Sequence, residues 1–279
     1  MTDYAAEPLL DTETISLRDV TCEGGCKHKS AEECAAAHYL VFPYRGVFMR
    51  HLGKDEAVAE ANQMLFYNPD EGYAISHPVE GGDRCLSLSV AEPLLREIVP
   101  RHLLHQGGRL AFRHQQLRID PRAQALVAML RHSLRIGTAE TLEAETLALT
   151  LVRRAVGGPP VGELRASQGV RKIVDRAKLV LAADPARRWT LAEVAAAVGV
   201  SPVYLTQLFQ RVEGVPLYRY QMRLRMARAL DLLGHYDDLT QLGLELGFSS
   251  HSHFGATFRA TYGRSPSDFR RTAARRPNR

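Results

Sequence analysis

One change of hydrophobic rhythm and one interruption argue for an α+β chain in two parts. Up to about residue 95, apolar residues come in short runs, several alternating with polar ones and broken by turn residues; from Pro121 onward they recur at three and four. Between them and the last hundred residues lies GGPPVGELRASQG, which interrupts any helix. The reading is a strand-rich barrel or sandwich ending in helices over 1–156, a linker over 157–168, and an all-α segment over 169–279.

The strands come first. HYLVFPYRGVFMRHLG carries apolar residues on either side of an YRG turn, and QMLFYNPDEGYAI follows, broken by Asn68-Pro69 and Gly72. DRCLSLSV alternates: Leu86, Leu88 and Val90 share one face, Cys85, Ser87 and Ser89 the other. The helices PRAQALVAMLRHSLRIG and AETLEAETLALTLVRRAVGG then place Leu126, Leu130, Leu147 and Leu151 in apolar stripes.

Composition narrows the function. A chain of 279 residues with 45% hydrophobic content can build packed cores. Its first residues, MTDYAAEPLLDTET, are acidic and unlike a signal peptide, and no apolar run approaches the roughly 18 residues of a membrane span, so a cytoplasmic protein without a membrane anchor is expected. Four cysteines there read as thiols rather than a disulfide framework. Residues 1–160 hold 17 basic and 21 acidic residues, residues 161–279 hold 19 and 10; the second part, at +9, suits a polyanion.

Within that basic part, WTLAEVAAAVGVSPVYLTQLFQRVE has a short helix with Ala195, Ala196 and Ala197 in its middle, Gly199 where a left-handed turn is needed, and Ser201-Pro202 as cap and first helical residue. The helix that follows buries Leu205, Leu208, Phe209 and Val212. Small residues let the two helices cross closely, which is a helix-turn-helix. LTQLGLELGFSSHSHFGATFRATY repeats the layout 48 residues later, with Gly247, a Ser249/Ser250 cap, and Phe254, Phe258 and Tyr262 inward. LYRYQMRLRMARALDLL joins them as a helix carrying Arg219, Arg223, Arg225 and Arg228.

GFSSHSHFGATFRATYGRSPSDFR resembles the C-terminal signature of the AraC/XylS family of bacterial transcription regulators, and the resemblance runs from roughly Val170 to Arg271. Gly243 stands where that family more often has alanine. The resemblance implies one DNA-binding domain of two helix-turn-helix units on a central helix. More loosely, 14–156 resemble the family's cupin-like sensing barrel and dimerisation helices. Double-stranded DNA, RNA polymerase and a second copy of the chain are the implied partners, and an effector-responsive activator is the implied role. The stripes of Leu126, Leu130, Leu147 and Leu151 are then expected to form the homodimer.

A helical wheel selects the base-reading side chains. Opposite Leu205 and Phe209 the first recognition helix, capped by Ser201, presents Val203, Thr206, Gln207 and Gln210, with Arg211 beside them. Gln207 can pair bidentately with adenine, and Val203 can meet a thymine methyl. The second presents Ser252, Ala256 and Arg259. The resemblance carries base contacts onto Val203, Thr206, Gln207, His251, Ser252 and Ala256; the wheel agrees except at His251, which it puts near the core side. His251 and His253 lie two apart, about 200° around a helix, and cannot share one ion. His253 is expected to be solvated or to face phosphate.

The sensing half is less explicit. Cys22, Cys26, His28, Cys34 and His38, with His77 and Cys85 later, are donors suited to Zn²⁺ or Cu(I). The spacing of Cys22, Cys26 and Cys34 is not that of a standard zinc site, and no His-x-His-x3-4-Glu cupin metal motif is present. His38 shares a strand face with Leu40 and Phe42, which also fits a satisfied core histidine. Three readings stay open: a small organic effector in the barrel, a thiol or metal sensor with zinc as candidate, and, remotely, a cupin-type metalloenzyme. The missing cupin ligands and the two DNA-reading units weigh against an enzyme, and no cofactor is certain.

Overall fold

The computed structural model describes residues 4–25, 27–105, 109–158 and 167–273. The strands are β1 (Tyr4–Asp11), β2 (Ile15–Cys22), β3 (Glu33–Cys34), β4 (Tyr39–Gly46), β5 (Phe48–Leu52), β6 (Asp55–Ala59), β7 (Gln63–Tyr67), β8 (Gly72–Ser76), β9 (Asp83–Val90) and β10 (Gln116–Arg118). They form two sheets, one of six strands in the order β1-β2-β9-β4-β7-β10 and one of four in the order β3-β8-β5-β6. The cupin-like part is therefore two facing sheets rather than one closed barrel.

Alternation along the strands decides what each face meets. Leu86, Leu88 and Val90 of β9, Leu40 and Phe42 of β4, and Met64 and Phe66 of β7 turn outward into a core shared with helices. Leu65, Tyr67 and Cys85 turn inward, toward Phe48 and Ala59 of the smaller sheet. The β7 run QMLFY is apolar throughout because it is buried on both faces.

Three helices cover the larger sheet: α1 (Glu92–Ile98), α2 (Pro121–Arg135) and α3 (Thr141–Val156). Pro121 opens α2 behind an Asp120 cap that accepts from the Ala123 N–H. Leu130 and Leu151 are fully buried in the core against the sheet, with Leu126 and Leu147 partly buried against it. Leu130 and Leu151 of the stripe expected to form the dimer are thus taken up inside the chain, because the sheet offers them an apolar partner, while Leu126 and Leu147 keep part of their surface. Leu142, 75% exposed, is what α3 leaves to solvent.

Seven further helices follow: α4 (Gln168–Ala183), α5 (Leu191–Val198), α6 (Pro202–Glu213), α7 (Leu217–Leu232), α8 (Leu239–Glu245), α9 (His251–Tyr262) and α10 (Pro266–Ala273). Of the linker expected over 157–168, residues 159–166 lie outside the described residues. No helix among the described residues is long and apolar enough to cross a membrane.

The helical part is docked on the strands through buried polar groups. Glu60, in the β6–β7 turn, accepts from the Tyr220 hydroxyl of α7 at 2.5 Å and from the Asn62 N–H at 2.8 Å. Lys178 of α4, fully buried, pairs with Glu213 of α6 at 3.3 Å and lies 3.6 Å from Asp175. Arg118 of β10 reaches Glu213 at 3.0 Å and donates to the Val212 carbonyl. Farther along, Arg131 of α2 donates to Asp231 of α7 at 2.8 Å and lies 3.5 Å over the Tyr44 ring.

Candidate nucleic-acid interface

The first helix-turn-helix is built from local signals. Thr190 and Glu193 close a capping box on α5, and Gly199 takes φ +74°, the left-handed value that ends the helix in a tight turn. Ser201 accepts from the Tyr204 N–H at 3.3 Å, so its oxygen caps α6, and Pro202 starts it. Leu205, Leu208, Phe209 and Val212 face inward, with Phe209 edge-on to Tyr220 at 5.1 Å. This leaves Ser201, Val203, Thr206, Gln207, Gln210 and Arg211 exposed. Val203 is 68% exposed, a large cost for an aliphatic side chain with nothing to cover it. The Thr206 hydroxyl donates to the Pro202 carbonyl at 2.8 Å, so only its acceptor side is left for a partner.

The second unit repeats the construction. Asp238 caps α8, accepting from the Thr240 N–H at 2.7 Å. Gly247 has φ +80°, and a Cβ there would lie 2.0 Å from the Ala186 carbonyl oxygen, so only glycine lets the turn pass the chain between α4 and α5. Ser250 accepts from the His253 N–H at 3.1 Å and caps α9. Phe254 and Phe258 are buried among Phe248 and Phe269.

His251, Ser252, Ala256 and Arg259 are all exposed. The wheel's placement of His251 near the core is corrected: as the first helical residue it has no preceding turn beneath it. His253 is exposed too, but its ring is braced, with Nδ1 3.2 Å from Ser249 Oγ and its plane roughly perpendicular to that of Phe248, centroids 5.2 Å apart.

The arginines of α7 divide into two kinds. Arg219 is exposed and Arg223 half-buried. Arg225 instead donates to the carbonyls of Pro185 (2.6 Å), Ala186 (3.2 Å) and Arg187 (2.8 Å), and Arg228 pairs with Asp231. Two aromatic rings escaped the sequence reading: Tyr204 and Tyr218, 45% and 66% exposed. Tyr204 shares the stripe of Gln207 and Arg211 at three and seven residues, a spacing that was there to be read.

Between the two sheets lies a cavity of about 290 Å³, lined among others by Tyr39, Tyr67, Tyr73, Cys22, Cys34 and His77. The candidate sensing residues separate here. Cys22, His77 and Cys85 come together inside it, Cys34 sits exposed at its edge, and His28 is exposed on a loop. His38 lies elsewhere, its Nε2 2.9 Å from the Leu110 carbonyl, a satisfied core histidine. Cys26 lies outside the described residues. Asp83 joins the group unforeseen, 2.6 Å from His77 Nε2 and 3.2 Å from the Cys85 sulfur. Burial, and then the Asp83 carboxylate, push the Cys85 thiol well above its ordinary range.

The model of a helix-turn-helix domain matches residues 194–272. The chain is 37% identical over 81 residues to the regulatory protein PocR of Salmonella typhimurium, covering 29% of this chain and 27% of PocR, so it spans about a quarter of that relative. It is 27% identical over 242 residues to the transcriptional regulator GadX of Escherichia coli, covering 86% of this chain and 85% of GadX. Among solved structures, a transcriptional regulator from Chromobacterium violaceum described as AraC-type is 30% identical, covers 39% of this chain and 98% of its own, and superposes with a TM-score of 0.37.

Proposed function

We propose that this chain is a transcription regulator of the AraC/XylS type, its helix-turn-helix domain spanning residues 194–272, and that it binds specific duplex DNA through α6 and α9 and activates transcription in response to an effector held between its two sheets. The observation that carries this is the doubled unit: two helices, each entered through a left-handed glycine and a serine cap, each buried on its phenylalanine face and bare on the other.

The division of labour is residues 1–156 for sensing and 169–279 for DNA. Val203, Thr206, Gln207 and Gln210 would read bases with Arg211 beside them; His251, Ser252, Ala256 and Arg259 would form the second contact. Long amides discriminate base edges better than Ser252 and Ala256 can. The operator is therefore bipartite, with a sharply read half and, about one turn or roughly 34 Å away, a degenerate half held by phosphate contacts and DNA shape.

The cavity suits a small organic effector: Tyr39, Tyr67, Tyr73, Val41 and Ile75 give it apolar walls, and Arg18, Glu33 and Ser87 add polar groups that can orient a ligand. RNA polymerase is the downstream partner and the bacterial cytoplasm the compartment, since the template is there. The homodimer, if formed through α3, would use the face of Leu142 and Leu149 rather than Leu130 and Leu151. A regulator is supported over an enzyme by the relatives, a regulatory protein and a transcriptional regulator.

Selection from random duplexes with the full-length chain tests the reading. A single bipartite consensus, with affinity falling steeply as salt rises, is expected. Recovery of no consensus, or affinity flat between low and moderate salt, would overturn it.

A further inference from the structure

Three donor side chains meet at one end of the cavity, with a fourth, Cys85, beside one of them. Cys22 ends β2 and Asp83 begins β9, and the two are direct partners in the antiparallel register. His77 immediately follows β8, and Cys85, two residues beyond Asp83, stands on the same strand face. Single ligand atoms of Cys22, His77 and Asp83 all lie within 4.8 Å of one another, and all three residues are buried. The Cys85 sulfur is 3.2 Å from the second Asp83 oxygen.

A plain His77–Asp83 hydrogen bond does not account for this group. It leaves His77 Nδ1 buried without a partner, a loss of roughly 1–3 kcal/mol for a desolvated polar atom. It also gives no reason for two cysteines to gather at the same buried carboxylate. The backbone beneath is held closely. Gly24 at φ +75° would place a Cβ 2.7 Å from Gly82 Cα, and Gly82 at φ +64° would place one 2.1 Å from the Cys22 carbonyl oxygen. The backbone after Cys22 and the backbone before Asp83 are therefore in close contact.

We propose that Cys22, His77 and Asp83, with Cys85 as fourth ligand, form a binding site for a thiolate-preferring divalent cation of the Zn²⁺ class. Two sulfurs, an imidazole nitrogen and a carboxylate oxygen are the donor set such an ion takes in a four-coordinate site. Tetrahedral ligand distances of about 2.0–2.3 Å place a sulfur, a nitrogen and an oxygen donor roughly 3.3–3.5 Å apart, so no pair of the three mapped atoms, all within 4.8 Å of one another, needs to close by more than about 1.5 Å. The bound ion would tie the end of β2 to the β8–β9 turn, on the wall of the cavity. The proposal does not depend on the DNA-binding reading, and it is tested without DNA.

The full-length chain is purified under reducing conditions, stripped with a chelator and titrated with Co²⁺, then with Zn²⁺ against a chromophoric competitor. Expected are one ion per chain, visible d–d absorption of tetrahedral intensity, and a near-ultraviolet sulfur-to-cobalt band that Zn²⁺ abolishes. Cys22→Ser and His77→Gln should each weaken Zn²⁺ binding by more than about 100-fold, beyond what loss of an outer hydrogen bond produces, while Cys34→Ser at the cavity edge leaves it unchanged. Circular dichroism shows whether each variant is folded. Should one unfold, the native chain decides: no stoichiometric sulfur-to-cobalt band overturns the proposal. So does a band that survives in folded Cys22→Ser, or one that disappears in Cys34→Ser.

Discussion

Replacing Glu60 by Gln should remove a pH dependence of stability that the domain junction builds in. Glu60 is fully buried, and burial pushes its carboxyl from 4.5 up to about 7, against the opposing pull of Lys178 and of the hydrogen bonds from Tyr220 and Asn62. Glu213 and Asp175 share the neighbourhood, so three carboxylates face Lys178 and, through Glu213, Arg118. A proton on Glu60 lowers that surplus of negative charge.

The sign follows from linkage. The folded chain keeps this proton over a range where the unfolded chain has released it, so folding is penalised as pH rises from about 4.5 to 7, fully above 7 and not at all below 4.5. The separation of the two values corresponds to roughly 3 kcal/mol. Asp175, raised in the same direction, and Asp120, lowered, titrate in both proteins and cancel in the difference. Urea unfolding of native and Glu60→Gln chains, followed by circular dichroism from pH 5 to 8.5, measures that difference. It should move in favour of glutamine by about 2–3 kcal/mol between the two ends. Parallel curves for the two proteins would refute the assignment of the proton to Glu60.

Gln207→Ala should relax specificity at one base position and cost roughly 1–3 kcal/mol, whereas Arg259→Ala should weaken all sites alike and lower the salt slope by about one; random-duplex selection with each variant separates the two. Asp231→Ala leaves both Arg131 and Arg228 without their carboxylate and should destabilise by about 3–5 kcal/mol in urea unfolding, while Arg131→Ala leaves Asp231 paired with Arg228 and should cost clearly less. Gly243→Ala tests a close helix contact, since its Cβ would meet Phe254 Cβ at 3.1 Å. The helix-propensity gain of about 1 kcal/mol should be outweighed by overpacking of roughly 1–3 kcal/mol, giving a lower melting temperature.

The DNA-binding half was legible because its signals are local. A period of 3.6, a glycine that alone takes positive φ easily, and a serine before Pro202 or His251 each act within one or two turns, and they delimit α5 and α6 as WTLAEVAAAVGVSPVYLTQLFQRVE implies. Facing directions follow from the same period, so Gln207 and Arg259 could be named as outward. His251 escaped because a wheel treats a first helical residue like one with turns on both sides. For Leu130 and Leu151 the stripe announced that they need an apolar partner, but nothing in a stripe says whether that partner is the chain's own sheet or another molecule. Residue order lists Arg225 and Arg228 alongside Arg219 and Arg223; only the fold shows that carbonyls and Asp231 hold the first two. The cavity group is the clearest case. Cys22 and Asp83 are 61 residues apart and meet because β2 pairs with β9 in one register; a slip of one residue would turn Cys85 from the cavity to the helices. Local periodicity resides in the residue order, whereas register and sheet stacking arise from the packing of the whole chain, and the donor group exists only once that packing has closed.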